Sequence, residues 1–190
     1  MLKLPFYTSL AFASITLAAS GLAIAADTKP SGTHAFISDP LNSAFIARSP
    51  FKIAQSSQSP DIGSLEAAVH TQINNHRASL GLPALTRNAT IDGQARIHSQ
   101  NMANGTVPFS HNGFQQRVQT IAQTIPLRAA AENVSYNQGR SDPVSVAVQG
   151  WLNSSGHRAN IEGNYNLTGI GIARSSNGAY YFTQMFIRQR

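Results

Sequence analysis

The sequence predicts an α+β fold, a three-layer α/β/α sandwich with a central antiparallel sheet. Three observations carry this. Helix-period segments follow Asp61, and a capped helix start stands at Asp142-Pro143. Two strand-like runs then flank Asn177-Gly178 near the end of the chain. The last run has two apolar faces, one with Tyr181, Met185 and Ile187, the other with Tyr180, Phe182 and Phe186. Such a strand needs cover on both sides, and the preceding helices can supply it.

Ile62, Leu65, Val69, Ile73 and Leu80 recur at helical spacing, and Gly81 and Pro83 stop that helix. A second helix is expected from Asn88, as N-cap, to Asn104, with Gly105 beyond its end. Its apolar stripe is Ile91, Ala95, His98 and Met102. A short helix fits Phe114–Ile121. Asp142 caps the next one, with proline at its first position. Val144, Ala147, Val148 and Trp151 form one face of that helix, which should end before Gly156. Leu167–Arg174 and Ala179–Arg188 read as a hairpin around Ser175-Ser176-Asn177-Gly178.

The chain has 190 residues, 42% of them apolar and 12% charged. This suits one domain with accessories and argues against a highly charged tail or a coiled coil. With no cysteine, disulfides, thiolate metal sites, cysteine nucleophiles and a lipid-anchored cysteine are excluded. The net charge is +6, yet the arginines are scattered. They read as solvated faces and carboxylate partners. Basic charge alone admits an anionic partner without selecting one. No basic amphipathic helix or RNA-binding motif appears, so nucleic acid is not the expected partner.

Met1–Lys3 is a short positive end, an apolar stretch follows, and Ala23-Ile24-Ala25 is a small-x-small cleavage pattern. Residues 1–25 are therefore expected to be a signal peptide, leaving no membrane span after cleavage, with an uncleaved membrane anchor as the rival reading. Residues 26–60, punctuated by Pro30, Pro40, Pro50 and Pro60, read as a Pro/Ser-containing linker. The folded unit is expected over 61–190.

Several pieces of this unit share one pattern. They are Ile73–Leu85, Ala95–Ala103, Ser110-His111-Asn112-Gly113, Ala131-Glu132-Asn133-Val134, Trp151–Ile161, Thr168–Ile172 and Tyr181–Phe186. Together they resemble the secreted CAP superfamily: cysteine-rich secretory proteins, antigen 5 and pathogenesis-related class-one proteins, also called SCP-like domains. The cysteine-free bacterial-type branch is the nearest likeness. The resemblance implies an α/β/α sandwich, secretion to the extracellular space or cell envelope, and an open cleft where two histidines meet an acid. The matching positions are His111, Glu132 and His157, with Asn133 and Arg158 beside them. The second acid that many eukaryotic members carry has no counterpart, since no Asp or Glu lies between Asp142 and Glu162.

Neutral imidazoles at His111 and His157 can bind Zn²⁺ or another divalent metal through one ring nitrogen each. Glu132 can be the third ligand, or can orient an imidazole or a bound water. Without metal, each histidine can exchange protons near neutral pH. The bland alternative is a buried polar network holding loops to the sheet. Asn133 can line the cleft or bond backbone. Arg158 is expected to pair with a carboxylate or carbonyl oxygens. Trp151 and His98 read as core, His70 and His76 as ordinary helix-face residues. Gly169 and Gly171 suit either ligand approach or tight helix-on-sheet packing. Five Asn-x-Ser/Thr sequons, at Asn88, Asn104, Asn133, Asn153 and Asn166, read as chance occurrences.

The expected function is a secreted binding module for a small apolar molecule, a peptide or a cell-envelope glycan. One alternative is a hydrolase of peptides or esters, either metal-assisted or using Ser110 or a nearby hydroxyl as nucleophile. Another is an envelope protein that binds anionic polymers through its arginine-rich surface.

Overall fold

The computed structural model describes residues 61–190, and the expected signal peptide and linker lie outside them. Helix α1, Ile62–Ser79, starts where the Asp61 carboxylate accepts the Ser64 amide at 3.1 Å. Leu65, Val69 and Ile73 are its buried stripe. Leu80, expected on that stripe, is instead the exposed C-cap residue. Strand β1, Thr86–Arg87, follows. Helix α2, Ala89–Ala103, is capped by Asn88, whose side chain accepts the Thr90 and Ile91 amides. Its expected stripe is buried throughout. Helix α3 is Phe114–Ala122, and strand β2 runs from Leu127 to Asn137.

Helix α4, Pro143–Leu152, begins with the expected Asp142 cap and proline start. A separate helix α5, Ser155–Glu162, follows Ser154. Strands β3, Leu167–Arg174, and β4, Tyr180–Gln189, form the expected hairpin.

The sheet has the order β1-β3-β4-β2. Its three long strands are antiparallel, but β1 pairs parallel to β3, with Thr86 opposite Leu167. The sheet is thus mixed, which corrects the antiparallel expectation. The short strand enters from α1 and leaves into α2, so its direction is set by two helices rather than by a hairpin.

Helices cover both faces. Leu65, Val69 and Ile73 of α1, Val144, Ala147, Val148 and Trp151 of α4 and Ile161 of α5 pack on Ile170, Ile172, Phe182 and Phe186. Ile91 and Ala95 of α2 and Val118 and Ile121 of α3 pack on Met185 and Ile187. The two faces read from the last strand therefore belong to two different cores.

Gly169 and Gly171 face α2 at very short range. A Cβ on Gly171 would lie 2.1 Å from the Arg96 amide nitrogen, and one on Gly169 would lie 2.3 Å from the Ile91 carbonyl carbon. These glycines serve helix-on-sheet packing and not the approach of a ligand. Strand β2 is a sheet edge, and side chains of the neighbouring helices cover it. Trp151 Nε1 donates to the Val134 carbonyl at 2.9 Å, and Asn160 Nδ2 reaches the Glu132 carbonyl at 3.4 Å. This fixes α4 and α5 against the strand that carries Glu132.

Candidate functional site

Glu132 sits on β2, opposite Met185 of β4, and therefore on the α2–α3 side of the sheet. Its side chain is 2% exposed. Burying a carboxylate demands a partner, and Arg117 of α3 supplies one. Arg117 Nε donates to Glu132 Oε2 at 2.9 Å, and Nη2 donates to Oε1 at 2.7 Å. This is a two-pronged guanidinium–carboxylate pair. Arg117 Nη1 also donates to the Asn112 carbonyl at 2.9 Å, which ties the pair to the loop before α3.

That loop presents His111. Gly113 has φ of 78° and turns the chain into α3. A Cβ there would also lie 3.2 Å from Arg117 Nη1, so glycine meets both a backbone and a space requirement. His111 Nδ1 lies 3.0 Å from Glu132 Oε1. A carboxylate accepts, so Nδ1 carries a proton, and in the neutral ring Nε2 is then the nitrogen with a free lone pair.

His157 comes from α5, in the other helical layer. Its Nδ1 lies 2.9 Å from Ser154 Oγ, and its backbone carbonyl accepts from Asn133 Nδ2 at 3.0 Å. Burial, and then the nearby His111, lower its pKa from the ordinary histidine value. Among the described residues, no three His, Asp or Glu side chains gather closely enough to hold a metal ion.

The sequence model of the CAP family, the cysteine-rich secretory protein family, matches residues 70–186. The chain belongs to the CAP family. The uncharacterized protein YkwD of Bacillus subtilis is 31% identical over 134 residues, which are 66% of this chain and 48% of YkwD. The chain thus spans about half the length of that relative. An extracellular SCP-domain protein of Bacillus anthracis superposes with a TM-score of 0.54 at 27% identity, over 66% of this chain and 41% of the other. An outer surface protein of Borrelia burgdorferi shares the fold with a TM-score of 0.58 at 18% identity, over 69% of this chain and 97% of its own.

Within this CAP domain, His111 and Glu132 are in direct contact, and Asn133 bonds the His157 carbonyl. Asn133 is fully buried, and its Oδ1 accepts from Asn160 Nδ2 at 2.9 Å. It holds α5 to the sheet rather than lining an open surface, and its sequon is out of reach of a glycan. Arg158 is exposed, and its Nη1 lies 3.4 Å from the Leu152 carbonyl. It makes no contact with Glu132 or either imidazole that would place it in the cluster. Ser110 Oγ donates to the Pro108 carbonyl at 3.1 Å and accepts the Asn112 amide, so it shapes the loop.

Two residues go beyond the sequence reading. Arg117 is the counter-charge of Glu132, yet it is one of many scattered arginines and its partner lies on an unexpected strand. His98 was assigned to packing and is buried, but it also bonds. Its Nε2 lies 2.8 Å from the Ser110 carbonyl, so this nitrogen donates and pins the loop beside His111. Burial, then the Arg117 charge, lower the His98 pKa. The twelve positions between His98 and Ser110 offer no local signal for that bond.

Proposed function

We propose that this CAP domain is an extracellular or envelope binding module that captures its ligand through His111 and His157. The carrying observation is the arrangement of the two imidazoles. Each is anchored through Nδ1, one by Glu132 and one by Ser154, which leaves Nε2 of each for a ligand. Supporting groups that fix ring orientation in this way are what a ligand-binding imidazole needs. Export is supported by the leader and by the outer-surface and extracellular proteins that share the fold. The ligand classes are those expected from the sequence: a small apolar molecule, a peptide or an envelope glycan.

A divalent ion such as Zn²⁺ fits this donor set in part. His111 and His157 are suitable nitrogen ligands. Glu132 is a poor third ligand, because Arg117 engages both of its oxygens. The carboxylate fits the role of orienting His111 and keeping its proton on Nδ1. When bound, the ion would supply a Lewis-acidic position to water or ligand.

Calorimetric titration of the protein with Zn²⁺ tests this, beside the His111→Ala/His157→Ala variant. Saturable binding that disappears in the variant supports a two-histidine site. Equal binding by both proteins would remove these residues from it.

A second reading, hydrolysis, has one observation in its favour. Ser154 Oγ lies 2.9 Å from His157 Nδ1, a hydroxyl beside a base. Ester turnover lost in both Ser154→Ala and His157→Ala would favour this reading, and turnover that survives both would end it.

A further inference from the structure

We propose that Phe109, Tyr136 and Tyr181 form a second binding site, an aromatic platform that takes the apolar face of a neutral pyranose ring. Phe109 lies in the loop before α3, two positions from His111. Tyr136 and Tyr181 face each other across β2 and β4. The three rings touch as one group. Their centroids are 6.3 Å apart for Phe109 and Tyr136, 6.5 Å for Phe109 and Tyr181, and 5.0 Å for the tyrosines. Phe109 is 46% exposed and Tyr136 is 45% exposed. No other aromatic residue is among the exposed large hydrophobics of the described residues. Two such rings exposed side by side, on a third that is half-buried, make a surface that a flat apolar ligand face can cover.

The polar groups next to the rings, by hydrogen bond at Tyr136 and by sequence at Phe109, select the ligand chemistry. The Tyr136 hydroxyl donates to Gln138 Oε1 at 3.2 Å, and Gln138 Nε2 donates to the Asn177 carbonyl at 2.7 Å. The Ser110 hydroxyl stands next in sequence to Phe109 and is held by the Pro108 carbonyl. These are neutral hydroxyl and amide groups, which have lone pairs or N–H groups to offer sugar hydroxyls. An anionic polymer would call for cations here, and a lipid tail would call for an enclosed apolar cavity. The rings are also held in advance: tyrosine has few rotatable bonds, and Tyr136 is tied at both its ring and its hydroxyl. Tyr136 lies on the same face of β2 as Glu132, four residues further on, or about 13 Å at the usual strand rise. The platform itself stands independently of how the cleft is read.

Titration of the protein with chitotetraose and with cellotetraose, followed by two-dimensional ¹H–¹⁵N spectra, tests the proposal. The expected result is saturable shifts at Phe109, Tyr136 and Tyr181. The Phe109→Ala/Tyr136→Ala variant should lose affinity by about tenfold or more at an unchanged melting midpoint. Tyr136→Phe, which keeps the ring, should retain most of the affinity. His111→Ala/His157→Ala should still respond at the platform, which separates failure of this site from failure of the cleft. Absence of shifts at the three residues with both sugars would overturn the proposal. So would equal affinity of the aromatic variant, or a platform that responds to phosphatidylcholine vesicles and to neither sugar.

Discussion

Arg117 decides what Glu132 can do. A carboxylate with both oxygens on a buried guanidinium is committed to that pair and to the imidazole it orients. Arg117→Ala would leave Glu132 buried without its counter-charge. We expect a loss of about 3–5 kcal/mol of stability, read by urea denaturation. Adding Glu132→Ala should restore part of it, because the second substitution removes the stranded charge. A loss within about 0.5 kcal/mol would mean that the pair is not formed in solution. The meeting of His111 and Glu132 was legible from the motifs around them. Arg117 and His98 were not, because their partners lie 15 and 12 positions away across loops whose path no local pattern fixes.

Among the elements, those with caps or clean periods were legible. Asn88 and Asp142 cap α2 and α4 as expected, and the final hairpin is where Asn177-Gly178 marks it. Strand β2 was missed for a physical reason. It is covered on both faces, so Ala130 and Glu132 face one helical layer while Ala131 and Asn133 face the other, and no polar alternation survives. Strand β1 is two residues long, too short for any period to show. Helix α5 follows α4 after a break of two residues, and Gly156 inside it looks like a stop signal. The glycines of β3 left two meanings open, and packing against α2 is the one observed. Gly171→Ala must push α2 off the sheet and should destabilise the fold by about 1–3 kcal/mol. Gly150→Ala, in α4 with open space around it, should instead stabilise by roughly 0.5–1 kcal/mol. Denaturant midpoints of the two variants check the contrast, and a neutral Gly171→Ala would contradict the packing.

At the scale of the whole molecule, the domain holds its layers together by buried charge as well as by its two cores. Glu66 of α1 accepts from Arg87, Arg96 and the Ile172 amide, and Asp92 of α2 accepts the Ile170 amide at 2.7 Å, which binds both helices to β3. On this frame, β2 carries Glu132, which holds His111, and Asn133, which bonds the His157 carbonyl. Burial is the first cause that lowers the pKa of both His98 and His157. Their folded pKa values therefore lie below the unfolded value of about 6.5. Above that value both states are neutral and the fold keeps its full stability. As the pH falls toward the folded values, the unfolded chain takes up protons first and stability declines.

The central claim is that Glu132 holds His111 with a proton on Nδ1, while burial favours the neutral form of His157. The most direct measurement is a pH titration of the imidazole nitrogens by ¹⁵N nuclear magnetic resonance. The account predicts that the neutral His111 ring is the Nδ1-protonated tautomer, and that the His157 ring protonates below the ordinary histidine value. A neutral His111 ring with its proton on Nε2, or a His157 that titrates at or above that value, would contradict it.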